Sequence, residues 1–231
     1  MTGHNRRQQR LLLNLGCGPL ARKTDWIDLD GSWNVIVTGF PHVLRSIMVG
    51  LYKMSGKQYH PWPNHVKYLN ILKPFPFARN SVDAIYASHV WEHLFRDEVM
   101  NVTRECCRVL KPGGVIRLVV PDLSYFCRQY LGSKDTDSSD RLMENLALRP
   151  RRRERSLIMK LYTYFTDFHT HKWMYDARSL SSILAACGFT EITEKECFES
   201  LIPEIRQVED PGSVSATAGI ALEAIKPEIS P

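Results

Sequence analysis

No apolar run in the chain approaches the roughly 18 residues that a membrane span needs, the longest being strand-like stretches such as Val115 to Val120. The basic, polar start Met1 to Arg10 has no cleavage-site pattern and leads straight into a strand-like run, so a secretory signal is not expected either. The chain is therefore expected to work in the cytoplasm. Cysteine is present without metal or disulfide order. Cys17, Cys106, Cys107, Cys127, Cys187 and Cys197 form no C-x-x-C pair, and buried free thiols are the expectation for them. There is no internal repeat. Neither sign of charge dominates: 30 Lys and Arg against 25 Asp and Glu leave a net +5, a mild bias toward anionic partners that does not require nucleic acid. The excess sits in Arg6, Arg7 and Arg10, and in Arg149, Arg151, Arg152, Arg153 and Arg155. The second cluster reads either as a solvated helix start after Pro150 or as a contact for a phosphate-bearing substrate or anionic surface.

What is present is enough for one sizeable core. With 231 residues, 44% of them hydrophobic, a single domain over residues 1–231 is expected. Leu11 to Leu15 reads as a buried strand that breaks into Gly16-Cys17-Gly18-Pro19, and Trp26 to Asp30 is a second strand ending at Gly31. Residues 41–54 have helical spacing, whereas Val66 to Ile71 and Val82 to Ser88 read as strands three and four. Asp97 to Leu110 is a helix stopped by Lys111-Pro112-Gly113-Gly114. Val115 to Val120 is a further strand, followed by a helix over Leu123 to Leu131. This alternation predicts an α/β fold with a mostly parallel sheet. Residues 133–170 break the rhythm with a polar stretch, an amphipathic segment near 140–148, the arginine cluster and an aromatic helix through Tyr162, Tyr164, Phe165 and Phe168. They predict a helical lid or insertion. A helix over Ser179 to Ala186 and two terminal strands, Thr190 to Ser200 and Gly219 to Lys226, complete the chain.

A glycine turn after the first strand lets a ligand approach the backbone, and the amides beyond such a turn are expected to face a carboxylate or phosphate. Gly16, Gly18 and Ala21 also satisfy the loose G-x-G-x-x-G/A pattern, so a nicotinamide dinucleotide stays open at this point. Asp30 ends the second strand, where a carboxylate accepts hydrogen bonds from ribose hydroxyls, with Asp28 behind it on the same face.

Three segments in order, Leu13 to Pro19, Pro74 to Phe77 with Asn80 to Leu94, and Arg108 to Gly114, resemble class I S-adenosylmethionine-dependent methyltransferases. The closest resemblance is to a bacterial branch encoded with polysaccharide and cell-envelope sugar genes, whose members also end with segments like His171 to Asp176 and Glu223 to Pro227. The resemblance implies a Rossmann-like domain with a seven-stranded, mostly parallel sheet and a terminal antiparallel strand, using S-adenosylmethionine as cofactor. Gly16, Cys17 and Gly18 would pass the methionine part of the cofactor, Asp30 would hold its ribose, Asn70 and Ile71 would flank the adenine, and His89 would border the site. Asn70 departs from the family's usual Asp and brings no charge. Only twelve positions separate Gly18 from Asp30, against about 20 in dinucleotide folds. The first crossover helix is thus shortened or missing, which counts against a dehydrogenase.

The sulfonium methyl is already activated, so the protein has to align a nucleophile and, for a hydroxyl, remove its proton. His93 and His89, at the end of the fourth strand, and His171, from the expected lid, are the candidate bases; hydrogen-bonding or packing roles are the alternative for each. No metal is expected, because no acidic ligand cluster accompanies the histidine pairs. Tyr162, Tyr164, Phe165, Trp173 and Tyr175 read as core or as a wall for a ring-shaped acceptor. The expectation is methyl transfer to a hydroxyl, before an amine or carboxylate, of a small molecule or glycan precursor. The alternative is a non-catalytic module of the same fold that binds protein or anionic glycan.

Overall fold

Leu12–Leu15 forms β1, buried at every position, as a strand covered on both faces is: its three leucines are apolar, and Asn14 is buried with its amide bonded to Asp28. It belongs to a seven-stranded sheet of order β3-β2-β1-β4-β5-β7-β6. The other strands are β2 (Ile27–Asp30), β3 (Lys67–Tyr68), β4 (Val82–Ser88), β5 (Leu110–Pro121), β6 (Thr190–Lys195) and β7 (Gly219–Ile225). Neighbours from β3 through β5 are parallel, and β7 is antiparallel to both β5 and β6. This is the mostly parallel α/β sheet that the alternating pattern predicts, in the seven-stranded, Rossmann-like form that the resemblance implies. The computed structural model describes residues 10–54, 61–147, 170–216 and 218–228. The arginine cluster at 149–155, the aromatic stretch at 162–168 and most of the expected lid lie outside them. Among the described residues, no helix is long and apolar enough to cross a membrane.

Among the described residues the α-helices are α1 (Trp33–Thr38), α2 (His42–Met54), α3 (Arg96–Val109), α4 (Leu123–Gly132), α5 (Ser138–Asn145) and α6 (Ala177–Ala186). One face of the sheet, with Leu13, Ile85, Ile116, Leu118 and Leu222, packs on Val99, Val102 and Cys106 of α3 and on Leu180 and Leu184 of α6. These helical residues recur at three- and four-residue intervals, as one buried stripe requires. The other face, with Leu12, Tyr86, Val115 and Val119, is closed by Trp26, Ile202, Ile205 and Val214 from loops and short turns. The missing first crossover helix explains the difference: Gly16 to Trp26 runs from β1 to β2 through turns and bends alone.

Three strands differ from their sequence reading. β3 keeps two residues because Asn70 folds a turn back on itself, accepting from the Leu72 amide at 3.0 Å through its side chain and from the Lys73 amide at 3.1 Å through its carbonyl. β5 starts at Leu110, before the Lys-Pro-Gly-Gly segment, and a register shift against β4 between Val82 and Ala84 absorbs the extra residues. β6 stops at Lys195, because Phe198 takes a positive φ of 65° and the following turn carries carbonyls that Arg117 uses.

The Pro74 to Phe77 segment is clipped to α3 by one arginine. Arg108 binds Glu105 through Nε at 2.8 Å and Nη2 at 2.6 Å, and Nη2 also reaches the carbonyls of Phe75 and Phe77. That hydrogen bond is the main reason the Glu105 carboxyl sits below its ordinary range, with burial opposing it. A lowered folded-state pKa gives stability that is present above the ordinary value and lost as pH falls through the lowered one. Arg108→Met should therefore cost about 1–2 kcal/mol at neutral pH, held down by partial solvation of the pair. Denaturant unfolding at neutral pH and again below the usual carboxylate range should show the gap from wild type shrinking in acid. An equal gap at both would remove the ion pair from the account.

Candidate active site

The order of strand connection reverses at β1, which lies between β2 and β4. Crevices at such reversals, outside the carboxyl ends of the strands, are where open α/β sheets bind ligands. The segments that leave this edge are Gly16 to Gly18 after β1, Asp30 at the end of β2, Asn70 and Ile71 after β3, and His89 after β4. The sheet thus brings the sequence-derived candidates for cofactor contact to one edge.

The turn is tied to β2 by its own amides. Gly16 and Gly18 have φ of 66° and 72°, a backbone region that side chains strain. The Gly16 and Cys17 amides both donate to the Leu29 carbonyl, at 2.8 and 3.3 Å, and the Gly18 amide donates to Asp30 Oδ2 at 3.3 Å. Pro19 has no amide hydrogen. The amides of Gly16, Cys17 and Gly18 are therefore spent on β2, and what these residues offer is open backbone, since a Cβ on Gly18 would meet nothing within 4 Å. The Cys17 thiol is pushed up by burial first, and then by the charges of Asp30 and Asp28, so it stays protonated.

Asp30 holds the turn from the other side. Its Oδ1 accepts from the Ser32 amide at 2.8 Å, and burial raises its carboxyl above the ordinary range while the Ser32 and Gly18 amides oppose that. A carboxylate offers about four acceptor positions, so two backbone donors leave room for ribose hydroxyls. Asp28 is spent elsewhere: its Oδ1 accepts from Asn14 at 2.7 Å. Its Oδ2 lies 3.3 Å from His65 Nε2, a close contact without hydrogen-bond geometry. Asn70 Oδ1 already accepts from Leu72 and keeps a second lone pair. Ile71 is half-buried against the main core.

The histidines separate by what their ring nitrogens do. His89, with a positive φ of 55°, places Nδ1 3.1 Å from Glu92 Oε1 and Nε2 3.1 Å from the Ser213 carbonyl. Burial pulls its pKa down, but the Glu92 hydrogen bond and charge and the Ser213 carbonyl outweigh it, so the ring is held toward its charged form. Both of its ring nitrogens thus face oxygen acceptors. His93 and His171 meet edge to face with ring centroids 5.0 Å apart. The Lys172 and Trp173 amides donate to the Glu92 carbonyl at 2.7 and 3.2 Å and bring this segment to the β4 end. Trp91, buried and bonded through Nε1 to Thr103 at 3.1 Å, anchors the short turn Trp91–His93 on α3. Burial, more than the nearby charges, lowers the His171 pKa and favours a neutral ring.

Sequence reasoning passed over Glu92 as a site residue, although it stands between two named histidines. Asp122, at the end of β5, caps α4 by accepting from the Ser124 and Tyr125 amides at 2.9 and 3.0 Å. Among the described residues, one surface hollow lies beside α2 around Arg45 and Trp62, and another between α4 and α5.

Residues 13–118, just under half of the chain, match the family described as Methyltransferase domain. No curated protein matches the sequence. The YcgJ protein of Bacillus subtilis is 14% identical over 95% of this chain and 93% of its own, with a TM-score of 0.47. A SAM dependent methyltransferase from Archaeoglobus fulgidus is 16% identical over 94% and 86%, also with a TM-score of 0.47. The CMeT domain of the citrinin polyketide synthase is 16% identical over 95% of this chain, with a TM-score of 0.45, and this chain spans 47% of that structure's length.

Proposed function

We propose that this chain is an S-adenosylmethionine-dependent methyltransferase and that it transfers the methyl group to a hydroxyl of a small molecule or glycan precursor. The observation that carries this reading is the shared edge: an open glycine turn, a half-buried aspartate joined to it, Asn70 and the histidine turn, all at the reversal beside β1. Gly16 to Gly18 would pass the methionine portion, Asp30 would accept from the ribose hydroxyls, and Asn70 with Ile71 would border the adenine. The bound cofactor supplies a methyl group on a positively charged sulfur. The chain's own task is then to bind, orient and keep a hydroxyl oxygen within attack distance, about 3–3.5 Å, with a basic group beside it. Among the three histidines, His93 and His171 serve that last need better than His89, whose ring nitrogens both face oxygen acceptors. The glycan class rests on the resemblance to the polysaccharide-linked branch.

Calorimetric titration with S-adenosylhomocysteine tests the reading, beside an NADH control and Asp30→Ala. Saturable binding is expected, weakened by roughly tenfold to a hundredfold in the variant, the ~1.5–3 kcal/mol of a hydrogen bond to a charged group. Folded wild-type protein that binds no S-adenosylhomocysteine would sink it and favour the non-catalytic binding module.

A further inference from the structure

We propose that Glu92, His93 and His171 form a binding site for one divalent first-row transition-metal ion such as Zn2+. One ligand atom from each of the three lies within 4.8 Å of the others. A tetrahedral ion with bonds of about 2.0–2.1 Å needs its ligands about 3.3 Å apart, a side-chain movement of an ångström or so. Three details go beyond proximity. His171 Nδ1 lies 2.8 Å from the Leu146 carbonyl and His93 Nδ1 lies 3.3 Å from the Thr170 carbonyl. An imidazole nitrogen facing a carbonyl carries the proton, so the Nε2 of each ring holds a lone pair. Ring N–H to carbonyl is also the support that metal-bound histidines ordinarily have. The third detail is the carboxylate. The Glu92 side chain is fully buried, and its Oε2 has no hydrogen-bond partner. A buried orphan oxygen is costly, and an ion would satisfy it.

Glu92 Oε1 is held by His89, which makes the pair Glu92–His89 the support for the oxygen ligand, as the two carbonyls support the rings. Two imidazole nitrogens and one oxygen suit a first-row transition ion and disfavour Mg2+, which asks for oxygen ligands. Three protein ligands leave positions open, the pattern of a reactive rather than a structural site. With an ion bound, the Nε2 lone pairs of His93 and His171 would be taken and could not also accept a proton, so the ion's open position, at the edge where an acceptor oxygen is proposed to lie, would stand in for them there. The binding itself needs neither cofactor nor acceptor, so it stands or falls apart from the methyl-transfer reading.

The full chain, stripped with a chelator and returned to buffer, is titrated with Zn2+ alone. One equivalent should bind saturably, with millimolar Mg2+ without effect. X-ray absorption at the zinc edge should then show two imidazoles in the first shell. His93→Ala and His171→Ala should each weaken binding by at least the ~10–100-fold that follows loss of a mere supporting group. No binding by wild type, a first shell without imidazole, or affinity unchanged in both variants overturns the proposal. The absorption measurement uses wild-type protein and decides even where a variant fails to fold.

Discussion

Arg117→Met should destabilise the protein by about 3–5 kcal/mol and lower its melting temperature by roughly 6–20 °C. Arg117 lies in the middle of β5 and is fully buried, as is Glu209, and Glu223 of the neighbouring β7 is nearly so. Its five donors are all used. Nε and Nη2 bind the two oxygens of Glu209 at 2.7 and 3.0 Å, Nη1 binds Glu223 at 3.1 Å and the Glu199 carbonyl at 2.8 Å, and Nη2 binds the Glu196 carbonyl at 2.9 Å. The carboxylates in turn hold the loop: Glu209 accepts from the Phe198 amide at 2.6 Å, and Glu223 accepts from the Leu201 amide at 3.0 Å and the Ser200 hydroxyl. Methionine fills much of the arginine's volume but leaves two buried negative charges without their cation, which is the expensive way to break such a group. Adding Glu209→Gln and Glu223→Gln should recover part of the loss, since amides cost less to bury than uncompensated carboxylates. Thermal and denaturant unfolding of the single and triple variants would check both steps. A triple variant less stable than Arg117→Met would show that the two carboxylates hold the loop in their own right and that charge is the smaller matter.

This network marks where the sequence was readable and where it was not. β1, β4 and β7 were legible because they are short, mostly apolar runs between turn residues, and α3 because its apolar residues fall on one stripe. Arg117 and Glu223 were visible as single charges inside apolar runs, but their pairing depends on β5 and β7 becoming neighbours, which topology decides. The shared edge at Gly16 and Asp30 followed from strand ends and needed no distant contact. The turn's donors did not: that Gly16 and Cys17 give their hydrogens to Leu29 is a consequence of β1 and β2 lying side by side without a helix between them. Glu92 escaped notice for a similar reason. Its neighbours at positions 89 and 93 were in view, but His171, which completes the group, arrives through backbone hydrogen bonds made 80 residues away along the chain.

Gly16→Ala should carry the second large effect, about 2–5 kcal/mol, from two separable causes. The positive φ of 66° costs an alanine about 1–2 kcal/mol by itself. The new Cβ would also stand 2.3 Å from Val90 Cγ2, inside any allowed contact, and overpacking of this kind costs about 1–3 kcal/mol. Val90→Ala removes that methyl group and leaves the rest of the contact at 3.6 Å, an ordinary distance. Introduced into the Val90→Ala background, Gly16→Ala should therefore cost only the backbone part, and the double-mutant cycle should show a coupling of about 1–3 kcal/mol. S-adenosylhomocysteine titrations on the same four proteins separate folding from function. If the turn is the cofactor's approach, the double variant should regain stability yet still bind weakly, because the backbone at Gly16 remains strained. Equal costs in the two backgrounds would instead mean that Val90 yields easily and that the turn's conformation alone demands glycine.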